Sequence, residues 1–300
     1  MHGRATDSRW LPEGGPLLLD GAAGTGLLAR IGESASGSGV ERLNLDDPVM
    51  VRALHREHLA AGAQVLRSNT FCSSAGELSR RGVPHRAEDV ARAGAELLRA
   101  AARDLGAEPL CLGVIGPGSG TGEASGEAGA DPRRIRGLLD GGVDGLLLET
   151  LPGIRAARRI VKAVRDEDGT VPLLSTFSLT EDGRLPEGGD VEDIARFAAD
   201  FEVDLVGLNC SFGPAPMDGP LSALRGAWRG PLGAWPNAGV PSLEDGGWAW
   251  PVDAECMAAW CSSAARSQGL RIVGGCCGTT TEHVAAIAAA LAQSGGSTPP

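Results

Sequence analysis

The chain has 300 residues, of which 42% are hydrophobic and 22% are charged. Its 27 basic and 38 acidic residues give a formal net charge of −11, which argues against nucleic acid or an anionic membrane as the main partner. Recurring apolar blocks exclude extensive disorder, and no apolar run approaches the roughly 18 residues of a membrane span. The polar amino-terminal segment lacks the apolar stretch of a secretory signal, so a cytoplasmic location is expected.

Short apolar runs that end in polar or glycine residues recur along the chain, each followed by a helix-like stretch. They predict strands at 16–20, 64–69, 109–114, 144–149, 172–177, 204–209, 231–235 and 271–275. Eight strands that alternate with helices indicate parallel strands joined by helical crossovers. The predicted fold is therefore α/β, a single (β/α)8 barrel. An open doubly wound sheet is the alternative, but no G-x-G-x-x-G follows a strand.

The predicted helices carry their own start signals. Asp47 and Asp131 each precede a proline, which is typical of a capped first turn, and Asp190 precedes another helix-like stretch. Thr279 and Glu282 have the spacing of a capping box at the start of the last helix.

The barrel is expected to occupy residues 16–293, with flexible tails at 1–15 and 294–300. Glycine-rich stretches at 32–39 and 116–130 follow the first and third strands, on the face where barrel active sites lie. A flexible lid is one interpretation of them, and plain solvated loops are the favoured one.

Polar residues stand where several predicted strands end, and a barrel brings these positions together at its mouth. They are Asp20, Gly21, Asn69, Glu149, Cys210, Asn237, Cys276 and Cys277.

Three of the seven cysteines have the arrangement of metal ligands. Cys276 and Cys277 are adjacent, so both sulfurs reach one metal, whereas a disulfide between neighbours closes a strained ring. Cys210 lies at an equivalent strand end and supplies a third ligand. Three protein ligands and an open fourth position are typical of a catalytic zinc site. The alternative is that all three are small buried hydrophobic residues.

Three thiolates make a zinc ion a weak activator of carbonyl groups, yet an incoming thiol still loses its proton on coordination. The predicted reaction is attack by the sulfur of a thiol substrate on an electrophilic carbon.

Asp20 and Glu149 place two carboxylates at the same mouth, where they bind an ammonium group or act as an acid/base pair. Backbone N–H groups in the turn from Gly21 to Thr25 are suited to a carboxylate. Together these groups describe an amino acid. His55, His58 and His283 are interpreted as structural.

Several blocks of this sequence resemble the zinc-dependent homocysteine S-methyltransferase family. That family includes the homocysteine domain of cobalamin-dependent methionine synthase and the betaine–homocysteine methyltransferases. The matching blocks include LLLDGAAGTG (17–26), GLNCSFGP (207–214), PNAG (236–239) and GGCCGTTTEHV (274–284).

The resemblance implies a (β/α)8 barrel with Zn2+ on Cys210, Cys276 and Cys277. Homocysteine thiolate takes the open position and receives a methyl group, which gives methionine. The donor is a small molecule or a separate protein that carries methylcobalamin or folate. Asp20 and Glu149 hold the substrate ammonium, and Asn237 occupies the fourth zinc position before substrate arrives.

Two positions bear on substrate and donor choice. Many relatives have an acid where this chain has Gly26, so a different thiol is an open alternative to homocysteine. S-methylmethionine-using relatives more often have arginine in place of Gly278.

Two other hypotheses remain at this stage. One is a barrel lyase or hydrolase that uses Asp20 and Glu149 as acid and base, with buried cysteines. The other is a non-catalytic module that binds homocysteine within a larger methyltransferase assembly.

Overall fold

A computed structural model describes residues 10–32, 39–119, 124, 126–244 and 247–295. Of the two glycine-rich stretches, residues 33–38 of 32–39 and residues 120–123 and 125 of 116–130 lie outside the described part, so the choice between lid and solvated loop stays open there. The boundaries at 1–15, 16–293 and 294–300 stay predictions. Within the described ranges, no helix is long and apolar enough to cross a membrane.

Eight parallel strands form one sheet; each begins in a segment predicted as a strand, and four of them run one or two residues past the predicted end. They are β1 (Leu17–Leu18), β2 (Val65–Arg67), β3 (Leu110–Ile115), β4 (Gly145–Leu151), β5 (Leu173–Phe177), β6 (Leu205–Cys210), β7 (Leu232–Pro236) and, after the hairpin described below, β10 (Ile272–Val273). Their spatial order is β1-β10-β7-β6-β5-β4-β3-β2.

Backbone hydrogen bonds between β1 and β2 close the sheet into a barrel. Gln64 N–H donates to the Leu18 carbonyl at 2.8 Å, and Asp20 N–H donates to the Val65 carbonyl at 2.9 Å. Closure satisfies the edge groups of both strands and brings all eight carboxyl ends to one rim. The (β/α)8 prediction is confirmed, and the open sheet is excluded.

Helices surround the barrel, and three predicted caps are present. Asp47, Asp131 and Asp190 each accept a hydrogen bond from a backbone N–H of the first helical turn. The helices are α1 (Ala23–Ile31), α2 (Leu43–Asp46), α3 (Pro48–Ala60), α4 (Ala75–Arg80), α5 (Ala87–Leu105), α6 (Pro132–Asp140), α7 (Ile154–Glu167), α8 (Val191–Asp200), α9 (Pro214–Ala227), α10 (Ala254–Gln268) and α11 (Thr281–Gly295).

The last helix is capped in a different register from the predicted Thr279–Glu282 box. Helix α11 begins at Thr281, and the Thr280 N–H donates to Nδ1 of His283 at 3.2 Å. His283 therefore takes the place that glutamate has in a capping box. Its Nε2 lies 3.0 Å from the Val252 carbonyl, which holds the ring in place and supports its structural interpretation.

A hairpin after β7 was not predicted. It consists of β8 (Ser242–Glu244) and β9 (Gly247–Ala249), paired antiparallel. The sequence between Leu243 and Trp248 contains Asp-Gly-Gly, a typical hairpin turn signal that the strand–helix alternation overshadowed.

Two apolar layers fill the molecule. Inward-facing side chains pack inside the barrel, and a larger cluster packs between the strands and the helices. The inner cluster includes Leu11, which is buried although it lies in the segment predicted as a tail.

Two buried histidines lie on α3 behind β1. Burial lowers the pKa of His55 to about 4 and that of His58 to about 3. Among the described residues, neither ring nitrogen of His55 has a hydrogen-bond partner, and Nδ1 of His58 has none either. Both rings are therefore neutral in the folded protein near pH 7.

This burial makes stability depend on pH. Below pH 6.5 the unfolded chain takes up protons that the folded chain refuses, so the free energy of unfolding falls until the pH nears the folded pKa of about 4 for His55. Each histidine contributes a slope of up to about 1.4 kcal/mol per pH unit. We expect His55→Leu to remove one histidine's share of this slope in urea unfolding at pH 7 to 4.5. An unchanged slope would contradict the buried neutral state of His55.

Candidate active site

The barrel brings three cysteine sulfurs together at its mouth. Cys210 is the last residue of β6, and Cys276 and Cys277 follow β10. Their Sγ atoms all lie within 4.8 Å of one another. A tetrahedral zinc with Zn–S bonds of about 2.3 Å places its sulfurs about 3.8 Å apart, so small side-chain shifts bring these atoms into coordination. Three sulfurs in this spacing fit a zinc ion.

The PNAG segment lies between the two cysteine loops and bonds to both. Asn237 N–H donates to the Cys210 carbonyl at 3.2 Å, and Cys276 N–H donates to the Pro236 carbonyl at 2.7 Å. The Asn237 side chain repeats this bridge, since Nδ2 donates to the Ser211 carbonyl and Oδ1 accepts from Cys277 N–H. Asn237 thus holds the two loops in register.

The backbone at these strand ends is strained. Thr150, Cys210 and Ser211 have φ values of 59°, 60° and 61°, a left-handed region that costs non-glycine residues about 1 kcal/mol or more. Asn209, a strand-end residue to which the sequence analysis assigned no role, holds this geometry. Its Oδ1 accepts from Thr150 N–H, and its Nδ2 donates to Thr150 Oγ1 and lies 3.7 Å from the Cys276 sulfur.

The three cysteine thiols of the cluster differ in the direction of their pKa shifts. Hydrogen bonds from Cys276 and Cys277 hold the pKa of Cys210 well below the usual thiol range. Their hydrogen bonds to Cys210, together with burial, hold the pKa of Cys276 and of Cys277 above it. Hydrogen bonds among the three sulfurs thus favour an ionised sulfur within the cluster.

The two predicted carboxylates meet at Arg67, whose role the sequence analysis missed. Both Asp20 oxygens are bound to Arg67: Oδ1 accepts from Nε at 2.7 Å, and Oδ2 accepts from the backbone N–H at 2.9 Å. Glu149 Oε1 accepts from the guanidinium at 2.6 Å and from Trp235 Nε1 at 3.0 Å. The signal was present, since an arginine inside a buried strand pattern needs anionic partners.

Burial and charge act in opposite directions on these groups. Burial opposes the guanidinium charge, but Glu149 and Asp20 outweigh it and hold the pKa of Arg67 above its usual range. Burial raises the pKa of Glu149, and Arg67 acts against that rise. Cys276 affects both groups, so the carboxylates lie within electrostatic range of the cysteines.

The first turn of α1 is joined to the cysteine loop. The Gly278 N–H donates to Thr25 Oγ1 at 3.2 Å, and within the part of the chain that the structure describes the N-cap residue Ala22 provides no side-chain cap for α1. Gly21 must be glycine, because a Cβ there would lie 2.7 Å from His58 Nε2. The Thr25 contact places the first turn of α1 beside the cysteine loop.

Asn69 lies away from the cysteine cluster. Its Nδ2 donates to the Val40 carbonyl at 2.9 Å and to Asn44 Oδ1 at 3.0 Å, and its own carbonyl accepts from the Asn44 side chain. These bonds tie the end of β2 to the segment before α3. A substrate contact by Asn69 stays a prediction.

The structure shows what a side chain would meet at Gly26 and at Gly278, the two positions that the sequence analysis linked to substrate and donor choice. A Cβ at Gly26 would face Leu54 of α3 at 3.4 Å. At Gly278 the φ value is +81°, and a Cβ there would lie 2.1 Å from the Trp250 ring. This backbone and its neighbour therefore have no room for an arginine at position 278.

Comparison with known proteins places these features in a family. The sequence profile for homocysteine S-methyltransferase matches residues 17–291. Methionine synthase of Mycobacterium tuberculosis is 30% identical over 293 residues, which cover 92% of this chain and 25% of that protein. The chain thus spans about a quarter of the length of that relative.

Solved structures agree. The metallated form of the homocysteine methyltransferase MmuM from Escherichia coli matches with a TM-score of 0.77 and 26% identity, over 92% of this chain and 96% of that one. Its oxidized form matches with a TM-score of 0.78 and 24% identity over the same shares, which supports the fold. The chain belongs to the homocysteine S-methyltransferase family.

Proposed function

We propose that this protein transfers a methyl group to the thiol of homocysteine, which gives methionine, on a zinc ion held by Cys210, Cys276 and Cys277. The observation that carries the proposal is the convergence of three cysteine sulfurs within 4.8 Å at the barrel mouth. Three protein ligands leave a fourth tetrahedral position for substrate, whereas structural zinc sites close all four. The donor set therefore supports a catalytic site.

A zinc ion bound at this site would supply one kind of chemistry, because it would favour ionisation of a coordinated thiol near neutral pH. The chain's own residues prepare for it. Asn237 keeps the Cys210 and Cys277 loops together, and Asn209 places its amide beside the Cys276 sulfur. The substrate sulfur then attacks the methyl carbon of the donor, and the donor leaves with the electron pair of the broken bond.

The amino-acid end of homocysteine is proposed to lie beside Glu149 and α1. Glu149 receives the ammonium, and Asp20 contributes through Arg67, because both Asp20 oxygens are already bonded to that residue. The uncapped N–H groups in the first turn of α1, next to Thr25, receive the carboxylate. Gly21 keeps this turn close to His58.

Acid/base chemistry by Asp20 and Glu149 fits these contacts less well. A general acid or base needs a free oxygen that reaches the reacting proton. Asp20 has its two oxygens on Arg67 and is fully buried. The contacts of Asp20 therefore disfavour the lyase or hydrolase hypothesis, which needs Asp20 and Glu149 to act together as acid and base.

The zinc assignment is tested by metal content and turnover. We expect about one zinc per chain in reduced wild-type protein and neither zinc nor turnover in Cys210→Ala, since two thiolates do not hold a catalytic zinc tightly. Cys256→Ala is the matched control, because Cys256 is exposed and lies outside the cluster. Zinc and turnover retained in Cys210→Ala would refute the ligand assignment.

The ammonium assignment is tested with Glu149→Gln. This change keeps the shape of the side chain and removes its charge. We expect the KM for homocysteine to rise about tenfold or more, equivalent to about 1.4 kcal/mol of lost binding.

The control for Glu149→Gln is the deaminated thiol 4-sulfanylbutanoate, whose KM should stay unchanged because it has no ammonium. An unchanged KM for homocysteine would remove Glu149 from the substrate site. Tight homocysteine binding without turnover, across a panel of donors and carrier proteins, would instead favour the non-catalytic module.

A further inference from the structure

Arg67 joins three parts of the candidate site. Its side chain is 7% exposed and lies between Asp20 and Glu149, with Nε on Asp20 and NH1 on Glu149. Its NH2 group donates to the carbonyls of Asp20, Gly21 and Gly275 at 3.1, 3.2 and 3.1 Å. One guanidinium thus connects the end of β1, the end of β4 and the residue before Cys276.

These contacts fix one carboxylate oxygen of Glu149, Oε1, and leave the other, Oε2, available. Oε1 accepts from both Arg67 and Trp235. Oε2 accepts no hydrogen bond from the residues that the structure describes. A planar guanidinium and an indole N–H hold the carboxylate in one orientation, because both donors are rigid and buried. Oε2 is therefore the carboxylate atom that remains for a ligand.

The charges of the group sum to one uncompensated negative charge. Asp20 and Glu149 each carry −1, and Arg67 carries +1. Without Arg67 two buried carboxylates would repel each other, and one would favour its protonated form. With Arg67 this group of three side chains keeps a single formal negative charge, at Glu149, for one positive group of a ligand.

Another buried arginine shows what a purely structural role looks like. Arg134 is fully buried and donates to the carbonyls of Phe71, Gly116, Ala128 and Gly129. Among the described residues, its hydrogen bonds go to loop carbonyls and to no carboxylate. Arg67 differs because its planar guanidinium group donates to two carboxylates at the barrel mouth.

We propose that Arg67 is a positioning residue for substrate selection: it fixes Glu149 so that Oε2 alone receives the α-ammonium of an aminothiol. This inference rests on the proposed function, since it concerns the same site. The selected ligand class is a thiol with one ammonium group. Arg67 itself touches no reacting atom.

The test is the ratio of dissociation constants for homocysteine and 4-sulfanylbutanoate, measured by calorimetry on zinc-loaded protein. The double variant Arg67→Met with Asp20→Asn keeps the net charge of the Asp20, Arg67 and Glu149 side chains at −1 and removes the planar guanidinium that holds Glu149. We expect it to weaken homocysteine binding about tenfold and to leave binding of the deaminated thiol unchanged. Zinc content and circular dichroism are measured on each variant.

The variant Arg67→Lys keeps the positive charge but lacks the planar fork. We expect it to lower the preference for homocysteine over 4-sulfanylbutanoate, measured as the ratio of their dissociation constants, about threefold or more. It decides the question if the double variant does not fold.

The outcomes separate this inference from the proposed function. Wild-type selectivity in folded variants would show that Arg67 acts in folding or charge balance alone, and the inference would fail. Equal weakening for both thiols would also overturn it, because that pattern indicates general damage. If the zinc-loaded wild type binds neither thiol, the proposed function itself fails.

Discussion

Closure of the parallel barrel is the constraint on which the site depends. Hydrogen bonds from Gln64 and Asp20 join β1 to β2 and leave no open edge. Every strand then delivers its last residue to the same rim, so side chains as distant in sequence as Cys210 and Cys276 become neighbours. The chemistry follows from this topology together with a few residues at the strand ends.

Groups of the same charge sign also meet at the rim of the barrel, and Arg67 offsets part of that charge. Cysteine thiolates and two carboxylates lie close together in a buried setting, where like charges repel strongly. Arg67 neutralises one of the carboxylates and links both of them to the loop before Cys276. Metal and ammonium ligand would add the remaining positive charges. The site is thus arranged to receive cations, which is what a zinc-dependent aminothiol enzyme requires.

Much of this arrangement could be predicted from the sequence. Each strand begins within a short apolar run, and the helix starts at Asp47, Asp131 and Asp190 are marked by local caps. The three cysteines were found because their strand-end positions imply proximity in a barrel. Such signals are local, or depend only on the order of the strands.

The missed features depend on long-range contacts. Arg67 finds its partners 47 and 82 residues away, so its sequence neighbours give no sign that it joins two acids. Asn209 acts across 59 residues on Thr150. The capping box was expected at Glu282, but His283 takes that place because its ring also reaches the Val252 carbonyl. Packing of the completed fold decides such choices.

The central claim is that three cysteines leave one position of a zinc ion for the substrate thiol. X-ray absorption at the zinc edge measures the number of sulfur ligands directly, with and without homocysteine. The account predicts three sulfurs and one lighter ligand in the free protein, and four sulfurs once homocysteine is added. A sulfur count that stays at three in the presence of saturating homocysteine would contradict thiol activation at this site.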